Sequence, residues 1–175
     1  MGYTHYWERP SVLPRPQFVA AVDDCRRLCA AMDIPLGDAQ GKATPAFSVE
    51  EICFNGHVDS SRLTSGHGRV LGPITNGSYE AFRVERVCRP RHSQQPPQGW
   101  SMAFCKTHHL PYDLCVQACL IVLSHHLGLE QFRVTSDGTS RNWNDARNAA
   151  QQILGYGIDW GEGKLAPLPP SPPVE

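Results

Sequence analysis

Phe104-Cys105-Lys106-Thr107-His108-His109-Leu110-Pro111-Tyr112-Asp113 joins a short apolar strand to a helix that is apolar on nearly every side. Pro111 suits a first helical turn, because the N–H it lacks would have no intrahelical partner there. Asp113 follows in the same turn, where a negative charge complements the helix dipole. From Leu114 to Leu127 apolar residues fall on all faces, which marks a helix buried all round. His125 and His126 sit in its last turn, and Gly128 is a suitable stop.

Next, Gln131-Phe132-Arg133-Val134-Thr135-Ser136 alternates like a strand. Strand, helix and strand over 101–136 predict a βαβ-like crossover with parallel strands. Both strands then end at one sheet edge, and Lys106 and Thr107 come to lie near Ser136, Asp137 and Gly138. Ligands of open α/β sheets bind at that edge, and helix N-termini attract anions.

Upstream, Tyr3 to Trp7 reads as an aromatic strand with Tyr3, His5 and Trp7 on one face. Phe18, Val22, Cys25, Cys29 and Met32 form an amphipathic helical stripe, ended by Pro35 and Gly37. Phe47–Phe54 reads as a strand closed by Asn55-Gly56, with Tyr79–Val87 antiparallel to it. The glycine-rich stretch 57–78 and the polar stretch 89–99 read as flexible loops. A last helix is expected over about 142–154, with Trp143, Ala146, Ala150 and Ile153 facing inward. Asn142 and Asp145 resemble a capping pair, and Gly155 and Gly157 end the helix. The expected fold is α+β: a single mixed sheet of about five strands with three main helices, the C-terminal half βαβ-like. One globular domain would span 1–164, followed by a Pro-rich tail at 165–175.

The 175 residues carry 16 basic and 17 acidic side chains, a formal net charge of −1. No long basic run appears, which disfavours nucleic-acid binding through a broad electrostatic patch. Seven cysteines, an odd number, lie partly within apolar helical patterns. That usage suits thiols acting as small hydrophobes in a reducing compartment. The N-terminus lacks a basic, apolar leader, and no apolar run reaches the roughly 18 residues of a membrane span. A cytoplasmic protein without membrane contact is expected, and its oligomeric state is open.

The candidate site residues each have a bland reading. Lys106 and Thr107 would form an anion site with the helix N-terminus, or simply end a strand. The glycines of a phosphate-binding loop are absent. Cys105 would be a nucleophile with His108 or His109 as base, or a buried strand cysteine, the favoured reading. Cys25/Cys29 and Cys115/Cys119 share helix faces, but both pairs lie on apolar stripes, so packing is favoured over metal binding. Tyr3, His5 and Trp7 would wall a base or sugar or pack on the first helix; packing is favoured for Trp7, and His5 is open. Asn55 and Glu80 would hydrogen-bond a ligand or cap turns, and Asp137 would be an acid, an acceptor for a ribose-like diol or a turn former, the last being favoured. Tyr112 and Asp113 complete the cluster, and Arg9 is a further cation for an anionic group.

Met1-Gly2-Tyr3-Thr4-His5-Tyr6-Trp7, Phe54-Asn55-Gly56, Glu80-x-Phe82, Phe104-Cys105-Lys106-Thr107 with Pro111-Tyr112-Asp113, Ser136-Asp137-Gly138 and Gly155-Tyr156-Gly157 together resemble a family of small proteins of bacteria and their phages. The resemblance covers about residues 1–160 and implies a phage or prophage setting; it implies no activity.

Three functions stand as expectations. The first is binding of a nucleotide-like anionic small molecule in a strand-end pocket, with sequestration of a signalling nucleotide as one form. The second is an enzyme acting on a nucleotide or phosphate compound, with Asp113, Glu80 or His5 as acid or base and Cys105 as nucleophile. The third is inhibition of a host protein through the 57–78 loop. The sequence points to no cofactor or metal.

Overall fold

The computed structural model describes residues 3–58, 77–88 and 99–161. In order they form β1 (Thr4–Pro10), α1 (Arg15–Met32), β2 (Leu36–Gly37), β3 (Ala46–Phe47), β4 (Glu51–Gly56), β5 (Phe82–Glu85), β6 (Trp100–Lys106), α2 (Asp113–Leu127), β7 (Arg133–Ser136) and α3 (Asn144–Leu154). The class is α+β, with two antiparallel sheets in place of the single one expected.

The first sheet runs β6-β1-β7. β1 is antiparallel to both neighbours, so β6 and β7 are parallel to each other with β1 between them. The crossover through α2 is therefore real, but its strands are not adjacent. The common edge survives this change, since His5 pairs with Cys105 on one side and Ser136 on the other. Tyr3, His5, Trp7 and Arg9 are all buried, which suits a central strand with one face covered by helices.

The second sheet runs β2-β4-β3, with β5 also pairing with β4. The stretch read as one strand from Phe47 to Phe54 is a hairpin. Phe47 pairs with Ile52, and Ser48 turns the chain by accepting hydrogen bonds at Oγ from Glu50 N and Glu51 N (3.3 and 3.0 Å). The antiparallel pairing of 47–54 with 79–87 holds over Glu51–Phe54 and Phe82–Glu85.

α2 is buried along Cys115–Leu123, as a helix apolar on all faces must be. It packs between α1 and α3. Gly128 closes it at φ 70°, beyond the αR range of other residues. α3 is preceded by a 3₁₀ turn at Ser140–Trp143. Its cap is not the Asn142/Asp145 pair: Thr139 N and Oγ1 both donate to Asn142 Oδ1 (2.8 and 3.0 Å). No described helix is long and apolar enough to cross a membrane. Most of 57–78 and 89–99, and all of 165–175, lie outside the described residues.

Candidate functional site

The parallel ends of β6 and β7, with the antiparallel start of β1 between them, meet at the first turn of α2. Asp113 is the centre of this junction. Its Oδ1 lies 2.7 Å from His5 Nε2 and accepts from Thr107 Oγ1 at 2.5 Å. Its Oδ2 accepts from Gln117 Nε2 at 2.9 Å, and the same nitrogen reaches Tyr3 Oη at 3.4 Å. All five side chains belong to buried residues. Because Thr107 and Gln117 also donate to Asp113, its oxygens act as acceptors, and His5 Nε2 is assigned as the third donor.

That assignment leaves Nδ1 as the bare nitrogen of His5. Nδ1 is buried and has no hydrogen-bond partner, the one such side-chain atom among the described residues. Buried polar atoms are nearly always paired, so an orphaned lone pair calls for an explanation. The ring is held edge-on between Tyr3 (centroids 4.9 Å apart, 87°) and Trp143 (5.1 Å, 71°). It is therefore fixed in orientation as well as in hydrogen bonding.

Tyr3 is positioned with equal care. Gly138 lies against its hydroxyl edge, and a Cβ there would fall 2.4 Å from Tyr3 Oη. One face carries the His109 ring at 3.8 Å and 20°. His109 and its neighbour His108 are exposed, and both have left-handed backbones (φ 57° and 54°). Two consecutive non-glycine residues in that region cost roughly 1–2 kcal/mol each. Beside them, Tyr79 packs on His108 (4.3 Å), and Lys106 Nζ lies 5.7 Å from the Tyr79 ring centroid.

Of the residues singled out in the sequence, Tyr3, His5, Thr107 and Asp113 are brought together, and Lys106 borders them. The others have different work. Asn55 donates from Nδ2 to Ala39 O and Tyr79 O, and accepts at Oδ1 from Tyr79 N (3.2, 3.1 and 3.1 Å). Glu80 Oε2 accepts from Lys106 N at 2.7 Å. Tyr112 Oη donates to Glu80 O at 2.8 Å, and burial pushes its phenol pKa up, so it remains a donor. These three residues fasten backbone on either side of 57–78. Trp7 is core, 5.3 Å from Phe82, and Asp137 is an exposed turn residue whose N–H donates to Thr4 O.

Arg9 is removed from the anion site altogether. It lies at the far end of β1, and its guanidinium donates to the carbonyls of Pro10, Ser11, Glu85 and Arg86. Cys105 has the surroundings of a buried strand cysteine, the favoured reading. It is fully buried, Sγ donates to Glu80 O at 3.3 Å, and burial with the charges of Glu80 and Asp113 pushes its pKa up. Of the proposed bases, His109 is stacked on Tyr3 and His108 packs at a tilt against Tyr79. The N-terminus of α2 is occupied by Asp113 itself, which weakens the expected phosphate cradle.

The two Cys-x3-Cys pairs meet between α1 and α2, with Cys29 Sγ 3.6 Å from Cys119 Sγ. Among the described residues no group of three or more His, Cys, Asp or Glu side chains is placed to hold a metal ion. Two surface grooves, of about 500 and 660 Å³, are lined by other residues, the first around Cys29 and Phe47 and the second around Tyr156 and Trp160. Gln117 was missed in the sequence because it stands inside an apolar run, where a lone amide reads as the polar side of a helix. Its spacing of four from Asp113 was the available signal.

Comparisons with protein-family models, with curated proteins and with solved structures returned no match.

Proposed function

We propose that the protein binds a small hydroxyl-bearing, nucleotide-like molecule at the strand-end junction. The observation that carries this reading is the buried, unpartnered His5 Nδ1, with its ring fixed by Asp113 through Nε2. A bare imidazole nitrogen is a hydrogen-bond acceptor, and it suits a ligand hydroxyl or N–H. Lys106, at the rim, supplies the charge for an anionic group. In the phage setting that the motifs suggest, the reading takes the form of sequestration: tight binding, with the ligand recovered unchanged.

A second reading is favoured by the 2.7 Å His5–Asp113 contact. A carboxylate that fixes one imidazole nitrogen leaves the other as a general base, as in hydrolytic triads. The enzyme reading thus uses the same two residues, with Cys105 and Glu80 withdrawn from it.

Native mass spectrometry of the purified protein, followed by denaturing release, tests both. A retained phosphate-bearing compound, absent from His5→Ala, supports binding. Conversion of an added nucleotide by the native protein, lost in His5→Ala with the fold intact, supports the enzyme. An apo mass with no thermal stabilisation by any nucleotide at millimolar concentration contradicts both, since a ligand at 100 times its Kd stabilises by about 2.7 kcal/mol.

A further inference from the structure

The Tyr3–His109 stack identifies the kind of ligand the junction takes. We propose that His109 occupies the place of a planar ring of the ligand, so that binding displaces the His108–His109 turn and stacks a heterocycle on Tyr3. This inference rests on the binding reading above and adds the ring to it.

Three observations converge. The hydroxyl edge of the Tyr3 ring is confined by Gly138, where a Cβ would fall 2.4 Å from Oη, so the ring is held in place and can stack a second ring on the face that His109 covers. That face is covered by an exposed imidazole at 3.8 Å and 20°, the geometry a nucleobase would adopt there. The covering residue belongs to a turn with two left-handed non-glycine residues in succession, so leaving this conformation recovers backbone energy. The His5 ring lies edge-on to the same Tyr3 ring, with centroids 4.9 Å apart, so a heterocycle on Tyr3 is expected to perturb His5 as well. Tyr79, His108 and Lys106 flank the same turn, and Lys106 supplies the cation for a phosphate.

The test is calorimetric titration of the full chain with adenosine monophosphate, adenosine and ribose 5-phosphate, with the imidazole nitrogens of His5 followed by NMR. Adenosine monophosphate and adenosine should bind, and ribose 5-phosphate should bind at least about tenfold more weakly. Tyr3→Leu should weaken adenosine monophosphate about tenfold or more. His109→Ala should tighten it about two- to tenfold, because the internal competitor for Tyr3 is gone. Weakening by His109→Ala overturns the displacement, since His109 would then be part of the binding wall. Equal binding of ribose 5-phosphate with a shift at His5 Nδ1 overturns the ring but leaves the junction as the site. Ring-dependent binding without any shift at Nδ1 leaves the ring in place and overturns the role of His5. Failure of both ring-bearing probes to bind overturns the inference.

Discussion

Asp113 holds three donors, and each has a different consequence when removed. Asp113→Asn replaces one acceptor oxygen by an N–H₂ that faces donors. The expected loss is about 2–3 kcal/mol, read as a shift of the urea midpoint at unchanged slope. Gln117→Leu keeps the volume and leaves Asp113 with His5 and Thr107, so its loss should be nearer 1 kcal/mol. Gly138→Ala tests the support of Tyr3: a Cβ placed 2.4 Å from Oη forces the ring to move. The prediction is a loss of about 1–3 kcal/mol together with a changed Tyr3–His109 contact in NMR spectra. An unchanged contact would mean that Gly138 does not hold Tyr3 in place. At this scale the sequence was informative where a polar residue stood at an element's end. Thr107 and Asp113 were found that way, while His5 was found on the aromatic face of β1. Asn55, Glu80 and Tyr112 stood at ends too, but their partners are backbone groups of segments brought close only by the fold.

Helix contacts give the next set of expectations. Cys25, Cys115 and Cys119 are fully buried, Cys29 nearly so, and burial is among the causes that push all four thiol pKa values up. A buried thiol held as S–H reacts slowly. Native protein should therefore consume thiol reagent at these four sites only at the rate of unfolding, and urea should release them together. Asp24 on α1 accepts from His126 of α2 at 2.8 Å and from Tyr156, just beyond α3, at 2.7 Å. Burial would raise the Asp24 pKa, but these hydrogen bonds and the charges of His126 and Arg27 outweigh it and hold it below the usual 3.8. A depressed carboxyl contributes stability above its unfolded value and loses it as pH falls through the folded one. The stability gap between wild type and Asp24→Asn should thus be full above about pH 4–5 and close at lower pH, as read by denaturation at each pH. A gap that widens on acidification would reverse the assignment. The helices were legible from period and from Pro and Gly punctuation. The Ser48–Glu51 turn was not, because Val49 and Ile52 keep a strand-like composition through it.

At the scale of the molecule, two small sheets are joined by backbone hydrogen bonds just beyond β1, from Leu13 N to Arg86 O and from Cys88 N to Ser11 O. Arg9 adds a side-chain clip from the end of β1 to the carbonyls of Glu85, which ends β5, and Arg86. Arg9→Met should cost about 2–4 kcal/mol, because buried carbonyls lose a charged donor. The sheets should still unfold in one transition, since Trp7, Phe54 and Phe82 share a core. Two separated transitions would show that the sheets are independent units. The insertion of β1 between β6 and β7 could not be read from the chain. It pairs residues about 100 positions apart, and nothing in local pattern specifies that order. The edge where the site lies was legible nonetheless, because β6 and β7 run parallel whichever strand separates them. One face of the β6-β1-β7 sheet is covered by helices, while Met102 and Phe104 on the other are 66% and 57% exposed.

The central claim is that His5 presents a bare, oriented nitrogen at the strand-end junction. Long-range proton–nitrogen NMR of imidazole-labelled protein reads this directly. The expected spectrum has the His5 proton on Nε2 and an unprotonated Nδ1, whose resonance moves when adenosine monophosphate is added. A proton on Nδ1, or an Nδ1 resonance that no nucleotide displaces, would contradict the account.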